Sequence, residues 1–138
     1  YLILDEPTAN FDPDFKQDFL NVIMQFMESG KKSVIIASHI LDELDRIADY
    51  LIYLDKGELV YSGDIESFRD KYRIISGETY KVKLLKQEDI IHVEDRKYGT
   101  KALVVNHGYS KYDGALTVTV PTLEEFMYHY SKRGESVI

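Results

Sequence analysis

The sequence predicts an α/β fold followed by a smaller α+β segment. Two short apolar runs without polar alternation, Tyr1 to Leu4 and Ser33 to Ala37, read as buried strands of a parallel sheet. A segment with apolar residues at helical spacing follows each of them. Past about residue 74 the pattern changes to short alternating stretches closed by one more helical segment, the mark of an α+β appendage.

The first strand runs into Asp5-Glu6, and Pro7, Thr8 and Ala9 break it. Asp12 is placed as an N-cap with Pro13 at the first helical position, where a missing N–H costs nothing. Phe15, Phe19, Val22, Ile23 and Phe26 recur at helical spacing, and Gly30 suits the helix end. The second strand leads into Ser38-His39. Ile40, Leu44, Ile47 and Ala48 then mark another amphipathic helix. Tyr50 to Leu54 and Glu58 to Tyr61 flank Asp55-Lys56-Gly57, which reads as a hairpin turn. Asp64 is placed to cap a short helix carrying Ile65, Phe68 and Tyr72.

Beyond the boundary, Tyr80-Val82-Leu84 reads as a strand. Ala102 to Val105 and Leu116 to Val120 read as a hairpin, with Asp113-Gly114 in its connection. Thr122 and Glu125 have capping-box spacing, and Leu123, Phe126, Met127 and Tyr130 give the helix after them an apolar face. The expected division is therefore residues 1–73 and 74–138.

Composition narrows the function. A net charge of −7 argues against nonspecific binding to nucleic acid or to an anionic membrane. The absence of cysteine excludes disulfides and thiolate metal sites and fits a reducing cytosol. No apolar run approaches the ~18 residues of a membrane span, and the acidic start does not read as a signal peptide.

In open α/β sheets chemistry gathers at the carboxyl ends of the strands, where Asp5, Glu6 and His39 fall. Adjacent residues of a strand point to opposite sides, so one carboxylate can face a Mg²⁺ ion while the other faces a water. Phosphoryl transfer to water needs that division. A histidine on the neighbouring strand end can hydrogen-bond the transferred phosphate. Each piece alone reads as a solvated loop start. The joint order of apolar strand, DEPT, an Asp seven positions after Asp5, helix, apolar strand, Ser-His and helix is far more specific.

LILDEPTANFDP and VIIASHILDELDRIADYLIYLDKGELVYSGD resemble the C-terminal half of an ABC transporter ATP-binding subunit, a P-loop NTPase, starting at its Walker B strand and D-loop and running through the switch histidine. The resemblance spans residues 1–73. It implies that Asp5 helps hold Mg²⁺ through water, that Glu6 is the general base or water-orienting carboxylate, and that His39, with Ser38 beside it, contacts the γ-phosphate. It implies that Asp12 lies in the D-loop at the interface with a second nucleotide-binding subunit, and it departs at Phe11, where the family usually has Leu. ATP and Mg²⁺ are the implied cofactors and a transmembrane permease the implied partner, on the cytoplasmic face of the membrane. SHILDELDRIAD and the ending PTLEEFMYHYSKRGE resemble the subgroup that exports drugs or peptide antibiotics of the bacitracin and lantibiotic kind.

The family also needs a G-x-x-x-x-G-K-[ST] loop, a glutamine loop and an LSGGQ-type signature, and this chain has none of them. The mid-strand start fits a truncated product that is inactive alone. A soluble ABC ATPase of the translation-factor or DNA-repair type is an alternative, as is a non-catalytic interaction fragment. His92, His107 and His129 show no zinc spacing or pairing. Asp42, Glu43 and Asp45 read as a solvated helix face, Tyr109 and Tyr112 as exposed loop aromatics or equally as a recognition surface, and Glu88, Asp89, Glu94 and Asp95 as ordinary surface.

Overall fold

The apolar runs at the start of the chain form the parallel strands their composition predicts. In the computed structural model, which describes residues 1–109 and 115–134, β1 (Leu2–Asp5) and β2 (Val34–Ala37) pair in parallel, Leu2 opposite Val34 and Asp5 opposite Ala37. A parallel pair needs a crossover, and α1 (Pro13–Met27) supplies it. The Asp12 carboxylate caps α1, accepting from the Phe15 N–H at 2.9 Å, with Pro13 in the first turn. Phe11 stands edge-on to Phe15 and Phe19, with ring centroids 4.6 and 6.0 Å apart. Leu20 and Ile23 are buried, but Phe15 and Val22 of the expected stripe remain exposed. Two strands are too narrow to cover the whole apolar face of a helix. After β2 comes α2 (Leu41–Ile47), which completes a compact unit, Tyr1–Ala48.

The second unit, Asp49–Ile138, begins with a hairpin of β3 (Tyr50–Asp55) and β4 (Glu58–Asp64). Lys56 and Gly57 form its two-residue turn with φ of 49° and 79°, and positive φ at both positions is what a type I′ turn requires. Asp64 caps α3 (Ile65–Lys71), accepting from Ser67 N–H at 2.9 Å. Next come β5 (Tyr72–Gly77), the short helix α4 (Thr79–Val82), a 3₁₀ turn (Gln87–Asp89), β6 (Ile90–Arg96), β7 (Gly99–Val105), β8 (Leu116–Thr119) and α5 (Leu123–Ser131). The last four strands form an antiparallel sheet in the order β6-β7-β5-β8. Ile75, Ala102 and Val104 face one side of it with Val82, Leu85 and Tyr109. Their alternates Ile74 and Leu103 are equally buried, so both faces of the sheet are covered. The expected capping box at Thr122 and Glu125 opens α5.

Three local expectations change. Tyr80-Val82-Leu84 is not a strand. Val82 and Leu85, three apart, reach the core from a helical turn, and Tyr80 and Leu84 are exposed. β7 and β8 do not pair with each other, because β5 lies between them. Asp113-Gly114 lies outside the described residues. Tyr72 begins β5 instead of ending a helix. By packing, the chain divides into compact units on either side of Ala48 and Asp49. Aromatic burial explains this: Tyr53 of β3 and Phe68 of α3 place their rings 5.7 and 4.8 Å from Phe126 of α5.

Candidate functional site

Because β1 and β2 run parallel and in register, their carboxyl ends lie side by side, with Asp5 opposite Ala37. The next peptide is still tied across the pair, Glu6 N–H donating to Ala37 O at 2.7 Å. The chain then turns sharply. Glu6 adopts a φ of 47°, left-handed and unusual for a residue with a side chain. The turn is closed by Ala9 N–H donating to Glu6 O at 3.3 Å.

This turn brings Glu6 onto the Ser38-His39 segment that follows β2. Glu6 Oε2 accepts from the Ser38 hydroxyl at 3.2 Å. Glu6 Oε1 accepts from the His39 N–H at 3.1 Å and lies 2.8 Å from His39 Nδ1. An ionised carboxylate only accepts, so Nδ1 carries the proton and Nε2 points away from the pair. The hydrogen bond from His39 holds the Glu6 carboxyl below the ordinary glutamate range, against the smaller opposing push of burial. The His39 side chain is 78% exposed and so accessible to a ligand. Ser38 Oγ also accepts from Ile40 N–H at 2.9 Å, which fixes the hydroxyl that donates to Glu6.

Asp5 is exposed at the end of β1, and its side chain makes no hydrogen bond or ion pair among the described residues, which leaves the carboxylate available. Asp12 is engaged in capping α1 and is not bonded to Glu6, Ser38 or His39. The structure thus brings three of the five expected site residues into one cluster, with Asp5 at its strand end and Asp12 at the helix start. No group of three or more His, Asp or Glu side chains among the described residues is placed to hold a metal. Asp5 is thus part of no self-sufficient metal cage among the described residues.

The sequence reading missed the residue behind this cluster. Glu43 is not on a solvated face. It is 7% exposed, and its Oε2 accepts from the buried Thr8 hydroxyl at 2.7 Å, while Lys16 Nζ approaches Oε1 at 3.5 Å. The signal was its spacing: three residues after Ile40 and four before Ile47, on the apolar stripe of α2.

Three other groups in the second unit depart from expectation. His92 and His129 are buried and do pair, Nδ1 to Nδ1 at 2.8 Å, joining β6 to α5. Burial pushes His129 down to about 4. Asp89 is buried as well and accepts from the Tyr109 hydroxyl and from His107 Nδ1, the latter at 2.6 Å. Those two hydrogen bonds, Tyr109 first, hold the Asp89 carboxyl below its usual range. Tyr109 is buried, not an exposed loop aromatic, and Tyr112 lies outside the described residues.

No protein-family model matches the chain. Individual proteins do. The chain is 40% identical over 62 residues to a Mycoplasma pneumoniae protein named as an ABC transporter ATP-binding protein, covering 45% of this chain and 19% of that protein. It is 40% identical over 74 residues to the energy-coupling factor transporter ATP-binding protein EcfA2 of Caldanaerobacter subterraneus, covering 53% of this chain and 26% of the relative. A Streptococcus pyogenes protein of the same name is 34% identical over 62 residues, 45% of this chain and 22% of its own. The similarity is thus to ABC transporter ATP-binding proteins, and the chain spans between 19% and 26% of their length. No helix among the described residues is long and apolar enough to cross a membrane.

Proposed function

We propose that the chain is the C-terminal part of an ABC transporter ATP-binding subunit and carries the water-activating half of its ATPase site. The observation that carries this reading is the cluster of Glu6, Ser38 and His39 across two neighbouring parallel strand ends. In this reading residues 1–73 belong to the nucleotide-binding domain and residues 74–138 form an accessory segment.

Glu6 orients the attacking water and takes its proton, with Ser38 and the His39 amide holding the carboxylate in place. His39 keeps Nδ1–H on Glu6, and a γ-phosphate oxygen accepts from the outward Nε2 when that nitrogen also carries a proton, so one doubly protonated ring links phosphate and base. Asp5 contributes to the hydration shell of Mg²⁺. When bound with the nucleotide, Mg²⁺ neutralises charge on the phosphates. Asp12 sits where a second nucleotide-binding subunit approaches, and Phe11, packed on α1, sets the shape of that loop. The partners are that second subunit and a membrane permease, which places the protein at the cytoplasmic face of the membrane.

Steady-state hydrolysis by the intact gene product tests the reading. Glu6→Gln keeps the shape and removes the base, and is expected to lower kcat by about 10²-fold or more while ATP still binds. The 138-residue chain alone, lacking the phosphate loop, is expected to show no turnover. Unchanged hydrolysis in the Glu6→Gln protein sinks the assignment.

Two readings of transporter type have support. SHILDELDRIAD and the C-terminal segment favour export of drugs or peptide antibiotics. Similarity to proteins named as energy-coupling factor subunits favours that type. Purifying the intact protein with its membrane partner and identifying that partner separates them.

A further inference from the structure

The same two stretches of chain, Glu6 to Thr8 and Ser38 to Glu43, are joined twice. The outer joint is Glu6 with the Ser38 hydroxyl and with the His39 N–H and Nδ1, and the imidazole lies mostly in solvent. An exposed ion pair of this kind contributes little to holding a conformation. The inner joint is the Thr8–Glu43 hydrogen bond, between residues 2% and 7% exposed, with the Lys16 ammonium of α1 3.5 Å from the other carboxylate oxygen. Breaking a buried, charge-assisted contact leaves a carboxylate without compensation, which is far more costly. Glu6 meanwhile holds a left-handed φ of 47° that must be stabilised from outside. The inner joint is the buried one of the two and lies two residues from Glu6 in the same turn.

We propose that Glu43, through Thr8 and with Lys16, is a positioning residue for Glu6. It ties the turn after β1 to α2 and so sets the rate of turnover without setting nucleotide affinity. This rests on the proposed role of Glu6. Thr8 and Glu43 need touch neither water nor phosphate.

The test is kcat and KM for ATP in the intact gene product. Thr8→Val keeps the shape and deletes the donor, and is expected to lower kcat by about ten- to a hundredfold with KM within about twofold. Thr8→Ser restores the hydroxyl and is expected to stay within about threefold of wild type. If Thr8→Val does not fold, the double variant Thr8→Val/Glu43→Leu removes the stranded buried charge as well, and the same fall in kcat is expected of it. Wild-type kcat in the folded Thr8→Val or double variant, or a rise in KM with kcat intact, overturns the positioning role while the reading of Glu6 stands. A wild-type protein with no ATP turnover overturns that reading and this one with it.

Discussion

Glu6 and Glu43 show how differently two glutamates read in a sequence. Glu6 follows an apolar strand, so its place at a strand end was legible, as were those of Asp5, Ser38 and His39. Its left-handed backbone was not, because nothing in a Glu-Pro step demands positive φ. Glu43 was misread because charge on an amphipathic helix is ordinarily solvated. Only tertiary partners, Thr8 and Lys16, make its burial tolerable. Asp12 was legible as a cap, and its capping role can be measured apart from any role at an interface. Asp12→Ala is expected to destabilise the first unit by about 1 kcal/mol, the usual cost of losing an N-cap. Urea denaturation followed by helical circular dichroism checks this, and an Asp12→Ser variant should recover most of the loss.

At the scale of elements, the helix caps and the β3–β4 turn were readable because each depends on a few adjacent residues. Strand pairing was not. β5 and β8 are brought together by a common core, which no local pattern announces. The joint between β6 and α5 is the clearest case, since His92 and His129 are far apart in the chain. For Nδ1 to meet Nδ1, one ring donates and the other accepts, so the accepting ring is neutral in the folded state. Glu94 favours protonation of His129, whereas His92, Arg96 and Lys101 oppose it together with burial, and His129 titrates at about 4. Above its ordinary value of 6.5, His129 is neutral whether folded or not and adds no pH dependence. As pH falls from there toward 4, the unfolded chain binds a proton that the folded chain refuses. Stability therefore falls, by about 2–3 kcal/mol from this residue, and levels off below 4. Urea midpoints of the second unit at pH 7 and pH 5 check the direction. The double variant His92→Leu/His129→Phe is expected to lose less stability between those pH values than wild type.

On the scale of the whole molecule, the two compact units differ in how completely they bury their strands. The four-stranded sheet of the second unit is covered on both faces, Ile75 on one and Ile74 on the other, whereas its β3–β4 hairpin leaves Ile52, Leu54 and Leu59 exposed. The first unit has only two parallel strands, and parallel sheets are ordinarily covered on both sides. Ile3 and Ile35, directly opposite each other in register, are 73% and 57% exposed. An apolar pair of this kind on a sheet with open edges favours association with a second copy of the same surface. The 138-residue chain is therefore expected to show an apparent mass that rises with concentration in light scattering. Ile3→Lys combined with Ile35→Lys places like charges side by side on that face and is expected to hold the mass near that of a monomer. A monomeric wild-type chain across the same range would mean that these two side chains are too small a patch to overcome the entropy of association. A concentration-dependent mass unchanged by the lysines would move the contact to the strand edges, where backbone pairing and not side-chain burial provides the attraction.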